Sequence, residues 1–274
     1  MVQTARLTNR KTLPGTGSPA LVAGGVAASR WAFAETAKRT SSVSVIVPAL
    51  NEAKTIGGLL RALRVRAPGA EIIVADGESA DATREIAEPL CDRLVSCRAG
   101  RSWQMNAGAR AATGDVFWFL HADVEPPFEC LVAIERALAS ENDVGGYFRI
   151  RLPRRRLVYR FTDEFAHHAG KLLRVRCGDH GFFCRRTVFE AIGGFPEVRL
   201  MEDVEFFRAL GRCGRVHAVE PRLLISPRRY ETIGPGRLTF AFGLIATLYA
   251  LGAPWRLLAG LYNAMCVQRR TNEM

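Results

Sequence analysis

Three short apolar runs in this chain each stop at an acidic or amide residue, and that repeated ending constrains the fold more than any other feature. Ser44-Val45-Ile46-Val47-Pro48 leads into Asn51-Glu52, Glu71-Ile72-Ile73-Val74-Ala75 into Asp76-Gly77, and Val116-Phe117-Trp118-Phe119-Leu120 into His121-Ala122-Asp123. Unbroken apolar runs of this length read as strands buried on both faces, and the helical patterns between them predict right-handed β-α-β crossovers. The expected fold class is α/β. Parallel strands put their C-terminal ends on one edge of the sheet, where open α/β folds bind ligands, so Glu52, Asp76 and Asp123 are expected to converge there. Carboxylates gathered at such an edge suit a divalent metal and a nucleotide rich in hydroxyl and imide donors.

Composition narrows the partners. A chain of 274 residues, 48% of them hydrophobic, can bury one large core. Its 38 Lys and Arg exceed its 27 Asp and Glu by 11. This excess is either a solvated basic surface or a match for a nucleotide diphosphate, an acidic lipid or a nucleic acid. The arginines are scattered and not interleaved with aromatics, so no nucleic-acid partner is expected. Seven cysteines show no Cys-x-x-Cys pair and no zinc spacing. They read as small buried hydrophobes of a reducing compartment, which places the domain in the cytoplasm.

Both ends differ from the middle. Residues 1–42 are rich in Thr, Ser, Ala, Gly and Arg, with Glu35 as the only acid, and Leu21 to Ala28 is too short and glycine-broken for a secretory core. A disordered basic tail is expected there, with the domain over 43–235. Residues 236–274 are apolar helices. No charge falls between Arg237 and Arg256, yet Gly252-Ala253-Pro254 interrupts the stretch before the roughly 20 apolar residues a spanning helix needs. A second helix, Trp255 to Val267, completes a hairpin that docks on the domain or lies at a membrane interface.

Four motifs, in order, carry a family resemblance. Pro48-Ala49-Leu50-Asn51-Glu52 opens it, and Asp76-Gly77-Glu78-Ser79-Ala80-Asp81 follows where the family reads Asp-Gly-Ser-x-Asp. His121-Ala122-Asp123 stands in place of Asp-x-Asp, and Glu202-Asp203 stands where a catalytic base is found. From about Val43 to Tyr230 the chain resembles glycosyltransferase family 2, the inverting, nucleotide-sugar-dependent enzymes. With Gly178-Asp179-His180-Gly181 and Arg228-Arg229-Tyr230, it is similar to a bacterial subfamily associated with arsenosugar biosynthesis. The resemblance implies the GT-A fold, a Rossmann-like, mostly parallel sheet flanked by helices, here with a C-terminal helical hairpin. It also implies a nucleotide-sugar donor, UDP-sugar favoured, a small-molecule or lipid acceptor, and a Mn²⁺ or Mg²⁺ cofactor.

The resemblance also assigns residues. Pro48, Asn51, Glu52 and Asp76 would hold the nucleotide, with Asp76 accepting the imide N–H of uracil or the ring N–H groups of guanine and Glu52 reaching the ribose. Glu52 also suits a helix start, and Asp81 is read as a helix cap. Asp123 would be the metal ligand, joined by His121, whose imidazole suits Mn²⁺; the alternative for His121 is a hydrogen bond to the ribose or a loop. Arg101, at a helix start after Gly100, would lie over the base or the phosphates, and Arg229 would meet the diphosphate. Asp203 is the expected base. Glu202 is its partner, since neighbours on a helix point about 100° apart and only one is expected to face the acceptor. Gly178 and Asp179 would lie under the sugar or acceptor, with His180 on the surface. Trp103 is an acceptor contact or surface packing, and Arg154-Arg155-Arg156 a solvated or membrane-facing patch, with acceptor-phosphate binding as the alternative. A sugar-1-phosphate nucleotidyltransferase, the rival enzyme, opens with a Gly-x-Gly-x-Arg loop that Pro48 to Glu52 does not provide. A non-catalytic basic membrane-surface protein would not keep Asp76, Asp123 and Asp203 together.

Overall fold

The computed structural model describes residues 41–152, 178–198 and 200–266. The tail and the arginine run 154–156 lie outside the described residues, as does Cys177. Eight strands form one sheet in the order β3-β2-β1-β4-β7-β6-β8-β5. They are β1 (Val43–Ala49), β2 (Glu71–Asp76), β3 (Arg93–Ser96), β4 (Val116–Phe119), β5 (Val124–Glu125), β6 (Asp143–Arg151), β7 (Phe182–Arg185) and β8 (Arg215–Ile225). β1 is parallel to β2 and β4, β2 to β3, and β6 to β8. β7 runs antiparallel to β4 and β6, and β5 to β8. The sheet is therefore mixed, with its parallel half at the N-terminal end of the fold.

The parallel half forms as the apolar runs dictate. Alternate side chains of a strand point to opposite faces. Val45, Val47, Ile72, Val74 and Trp118 enter one core, and Ile46, Ile73, Phe117 and Phe119 enter the other. Helices α1 (Ile56–Arg66) and α2 (Thr83–Ala87), and then α3 (Arg101–Ala111), make the crossovers. α3 lies close on the sheet because Gly108 has no side chain: a Cβ there would sit 2.5 Å from Ile46 Cγ2.

The remaining α-helices among the described residues are α4 (Cys130–Ala137), α5 (Arg186–Ala191), α6 (Glu202–Cys213), α7 (Arg228–Ile233), α8 (Pro235–Ala250) and α9 (Trp255–Cys266). α8 and α9 form the expected hairpin. Leu238, Ala241, Ile245, Leu258 and Cys266 bury into the same core as Val45 and Trp118, so the hairpin packs on the domain. At about 1.5–3 kcal/mol for each fully buried large aliphatic side chain, that contact is substantial. No described helix is long and apolar enough to cross a membrane.

Candidate active site

Three strand ends and two helix starts build the cleft. β1, β2 and β4 end on one edge, followed by Leu50-Asn51-Glu52, Gly77 and Leu120-His121-Ala122-Asp123. The short β5 then pairs Val124 with Ile225 of β8, which brings the start of α7, with Arg228 and Arg229, across from Asp123. The antiparallel β4–β7 pair sets Trp118 against Phe183, so the turn Gly178–His180 before β7 comes beside the end of β4. His121 Nε2 lies 3.9 Å from Asp179 Oδ1.

The α6 start is held by aromatic packing. Phe195 stacks on Phe206 of α6 at 4.0 Å between ring centres, and Phe119 of β4 meets Phe195 edge-on at 4.9 Å. The Gly193-Gly194 turn has φ of 78° and 75°. At Gly194 a Cβ would lie 2.6 Å from Asn106 Oδ1. Asn106 needs that space, because its amide donates to Phe195 O (2.8 Å) and accepts from Phe195 N (2.9 Å). Met201 then takes a left-handed φ of 68° immediately before Glu202-Asp203. A non-glycine residue pays about 1–2 kcal/mol for that conformation, a strain typical of functional turns.

Two chambers open from this framework. The first, about 330 Å³, is walled by Pro48, Glu52, His121, Asp123 and Arg228, with Gln104 at its floor. The second, about 440 Å³, holds Glu202 and Asp203. Gly100, Arg101, Asp179, Arg229 and Phe242 border both. Both residues of the Glu202-Asp203 pair line the second chamber. Glu202 turns to Arg101 at 3.6 Å, and Asp203 Oδ1 accepts the Val204 N–H at 2.8 Å.

The charges in the cleft set one another. Burial raises the Asp123 carboxyl above its ordinary value, and the neighbouring Asp179 and Glu52 add to the rise. Burial lowers the His121 pKa against the pull of Asp179. Burial opposes ionisation of Asp179, but His121, Arg101 and Arg229 outweigh it and hold that carboxyl low. For Arg101, burial works against the charge, and Glu202, Asp179 and Asp203 more than restore it. A carboxylate raised by its neighbours is a site that a cation would relieve. Among the described residues no three His, Cys, Asp or Glu side chains are gathered closely enough to cage a metal. A hard cation held by Asp123 and His121 would need further oxygen ligands from elsewhere.

Other expected residues sit differently. Asp76 ends β2 on the cleft edge but is fully buried and is not a wall of either chamber. Its Oδ2 accepts from Ser79 N and Arg84 (both 3.2 Å), while Oδ1 is buried with no hydrogen-bond partner. Asn51 stitches the loop: its backbone N–H donates to Ser79 Oγ and its side chain accepts from Ala80 N. Glu52 accepts from the Thr55 hydroxyl at 2.7 Å at the approach to α1, with Arg228 3.7 Å away. Asp81 accepts from Thr83 N at 3.0 Å, from the position before Ala82, the N-cap of α2. His180 is not on the surface; it is buried with its ring 5.7 Å from Tyr147, because the turn before β7 folds inward. Trp103 borders the second chamber, with Arg98 4.3 Å over its ring.

Three contributors had not been singled out. Gln104 donates to Ala49 O (2.7 Å) and Ala75 O (3.0 Å), clamping the ends of β1 and β2. Arg84 partners Asp76. Tyr262 of α9 accepts a 2.7 Å hydrogen bond from Arg229, so the last described helix reaches into the site. A polar residue among small ones in α3, or one tyrosine on an amphipathic helix, gives no sequence signal of such a role.

The fold is the GT-A arrangement. It superposes on glucosyl-3-phosphoglycerate synthase from Mycobacterium tuberculosis, crystallised with Mn²⁺, UDP and glucosyl-3-phosphoglycerate, with a TM-score of 0.56. That match has 21% identity and covers 80% of this chain and 83% of the other. S. aureus TarS superposes with a TM-score of 0.52 and 19% identity over 84% of this chain and 73% of that one. Residues 44–193 match the sequence profile of Glycosyl transferase family 2, and the chain belongs to that family. A 4,4'-diaponeurosporenoate glycosyltransferase of Staphylococcus haemolyticus is 35% identical over 94 residues, 31% of this chain and 25% of that protein. The probable glycosyltransferase YdaM of Bacillus subtilis is 26% identical over 196 residues, 62% of this chain and 47% of that one. The chain thus spans less than half the length of these curated relatives.

Proposed function

We propose that this protein transfers a sugar, with inversion, from a nucleotide diphosphate sugar, UDP-sugar favoured, to an acceptor hydroxyl. One observation carries the reading: a chamber holding Asp123, His121 and Glu52 meets a chamber holding Asp203 across a shared border of Arg101, Asp179 and Arg229. The donor occupies the first chamber and the acceptor the second. The acceptor oxygen forms a bond to the anomeric carbon as the bond from that carbon to the diphosphate breaks. The bonding pair leaves on the diphosphate, and the hydroxyl proton passes to Asp203. Arg101 and Arg229 face the charge that develops on the leaving group. Mn²⁺ or Mg²⁺ held by Asp123, with His121 beside it, would supply further positive charge to that diphosphate. The assignment of Asp76 to the imide N–H of the base rests on the family resemblance alone, since its side chain is buried outside both chambers.

The Mn²⁺, Mg²⁺ and UDP present in structures of the mycobacterial synthase support the same choice of ligands here. The arsenosugar association, a cytoplasmic location and peripheral contact with the inner membrane face belong to this proposal. The test is calorimetric binding of UDP with and without Mn²⁺, followed by Mn²⁺-dependent hydrolysis of UDP-sugars. Metal-dependent UDP binding that Asp123→Ala abolishes is the expected result. Equal UDP binding in EDTA, or none in either condition, would refute it.

A further inference from the structure

The two chambers differ in kind, and the difference bears on the acceptor. About half of the first chamber's lining is charged or polar, Glu52, His121, Asp123 and Arg228 among it. The second is apolar apart from Ser102, the carboxylates and the shared border. Leu200 and Met201 come from the turn before α6, Phe242, Ile245 and Ala246 from α8, and Tyr262 from α9. At about 440 Å³ it lies within the range of roughly 300–1,000 Å³ in which small-molecule sites fall.

Among the described residues its basic side chains are Arg101 and Arg229, and both also border the donor chamber. Arg101 already faces Glu202, and Arg229 is held by Tyr262. An anionic acceptor would have to compete with the donor diphosphate for these two cations, beside two carboxylates that repel it. An uncharged apolar body meets no such cost and gains the burial.

Resting on the proposed transferase reading, we infer that the acceptor is a hydroxyl carried on an uncharged apolar body, held by α8 and α9 with its hydroxyl toward Asp203. The hairpin is then part of the acceptor site as well as packing for the core. Val198, 42% exposed at the edge of the chamber, is on the acceptor's path.

The experiment uses the full chain saturated with UDP and Mn²⁺ and measures binding of n-alkanols from butanol to decanol, with 3-phosphoglycerate as the anionic comparator. Affinity should rise about three- to fourfold per methylene until the chamber fills, the increment expected for burying a CH₂. Ala246→Trp, which fills the chamber, should weaken octanol at least about tenfold with UDP affinity retained. Val198→Asp, at an exposed position that leaves the fold unstrained, should flatten the chain-length dependence. A flat series in the parent protein, or 3-phosphoglycerate bound more tightly than octanol, overturns the apolar acceptor while leaving the donor reading intact. Loss of UDP binding itself overturns the transferase reading and this inference with it. Octanol presented in phosphatidylcholine vesicles distinguishes a bilayer source from a dissolved one: vesicle-dependent binding assigns delivery from lipid, and equal binding in buffer assigns delivery from solution.

Discussion

Replacing Gln104 by alanine tests how the cleft edge is held open. The side chain is buried and makes three hydrogen bonds: two donated to Ala49 O and Ala75 O, and one accepted from Gly100 N at 3.3 Å. Each contributes about 1 kcal/mol net, or about 3 kcal/mol in all. Loss of a buried methylene adds about 0.8 kcal/mol. Side-chain freedom regained in the variant returns about 1.5 kcal/mol. Gln104→Ala should therefore cost about 2–3 kcal/mol, a fall of roughly 5–10 °C in Tm for a domain of this size. Urea unfolding followed by far-UV circular dichroism measures it, with unchanged slope as the check that the two end states are the same. Gln104→Glu should be worse, because it sets a carboxylate against two carbonyl oxygens. A loss below about 0.5 kcal/mol for the alanine variant would mean that water serves both carbonyls equally well, and that the clamp does not hold β1 to β2.

Four further outcomes follow from the geometry. Asp203→Asn keeps shape but cannot take a proton, so turnover should fall at least about 100-fold with donor affinity little changed; if Glu202→Gln is the crippled variant instead, the base is misassigned. Tyr262→Phe removes one hydrogen bond to Arg229 and should weaken UDP binding about fivefold, read by calorimetry; unchanged affinity would free α9 of any part in the donor site. Glu71 accepts from Ser44 (2.5 Å) and Thr113 N (2.7 Å), and although burial opposes its charge, these bonds hold its pKa below the ordinary 4.5. Its stabilisation is therefore present above pH 4.5 and is lost as the pH falls through the lower folded value, so Glu71→Gln should flatten the acid limb of a stability–pH profile. An acid limb equally steep in both proteins would contradict this. Carbonate washing should release the expressed protein from membranes, as a docked hairpin requires; a need for detergent would show that it inserts.

The sequence made the parallel half of this fold legible for a physical reason. Strands buried on both faces need unbroken apolar runs, and a run ends where backbone meets the cleft. Val116 to Leu120 followed by His121-Ala122-Asp123 is such a case. The antiparallel half was harder to read. β5 is two residues long, too short for any periodicity, yet its pairing of Val124 with Ile225 is what carries Arg228 and Arg229 to Asp123. His180 was misplaced because a polar residue between glycines looks exposed, and only the inward turn before β7 buries it against Tyr147. Gln104 and Tyr262 act through partners more than 30 residues away, at Ala49 and Arg229, and no local pattern encodes such distances. Asp76 shows the converse: its place at a strand end was legible, whereas its burial beneath Ser79 and Arg84 was not.

The hydrogen bond from Arg229 to Tyr262 joins the cleft to the last described helix. Linkage is reciprocal: if docking of α9 improves the grip of Arg229 on a nucleotide, a bound nucleotide tightens the docking of α9 by the same free energy. Occupancy of the cleft is then reported at the far end of the described chain. A protease that attacks α9 when it lifts off should cut more slowly as nucleotide is added, with a half-saturation point equal to the nucleotide's own.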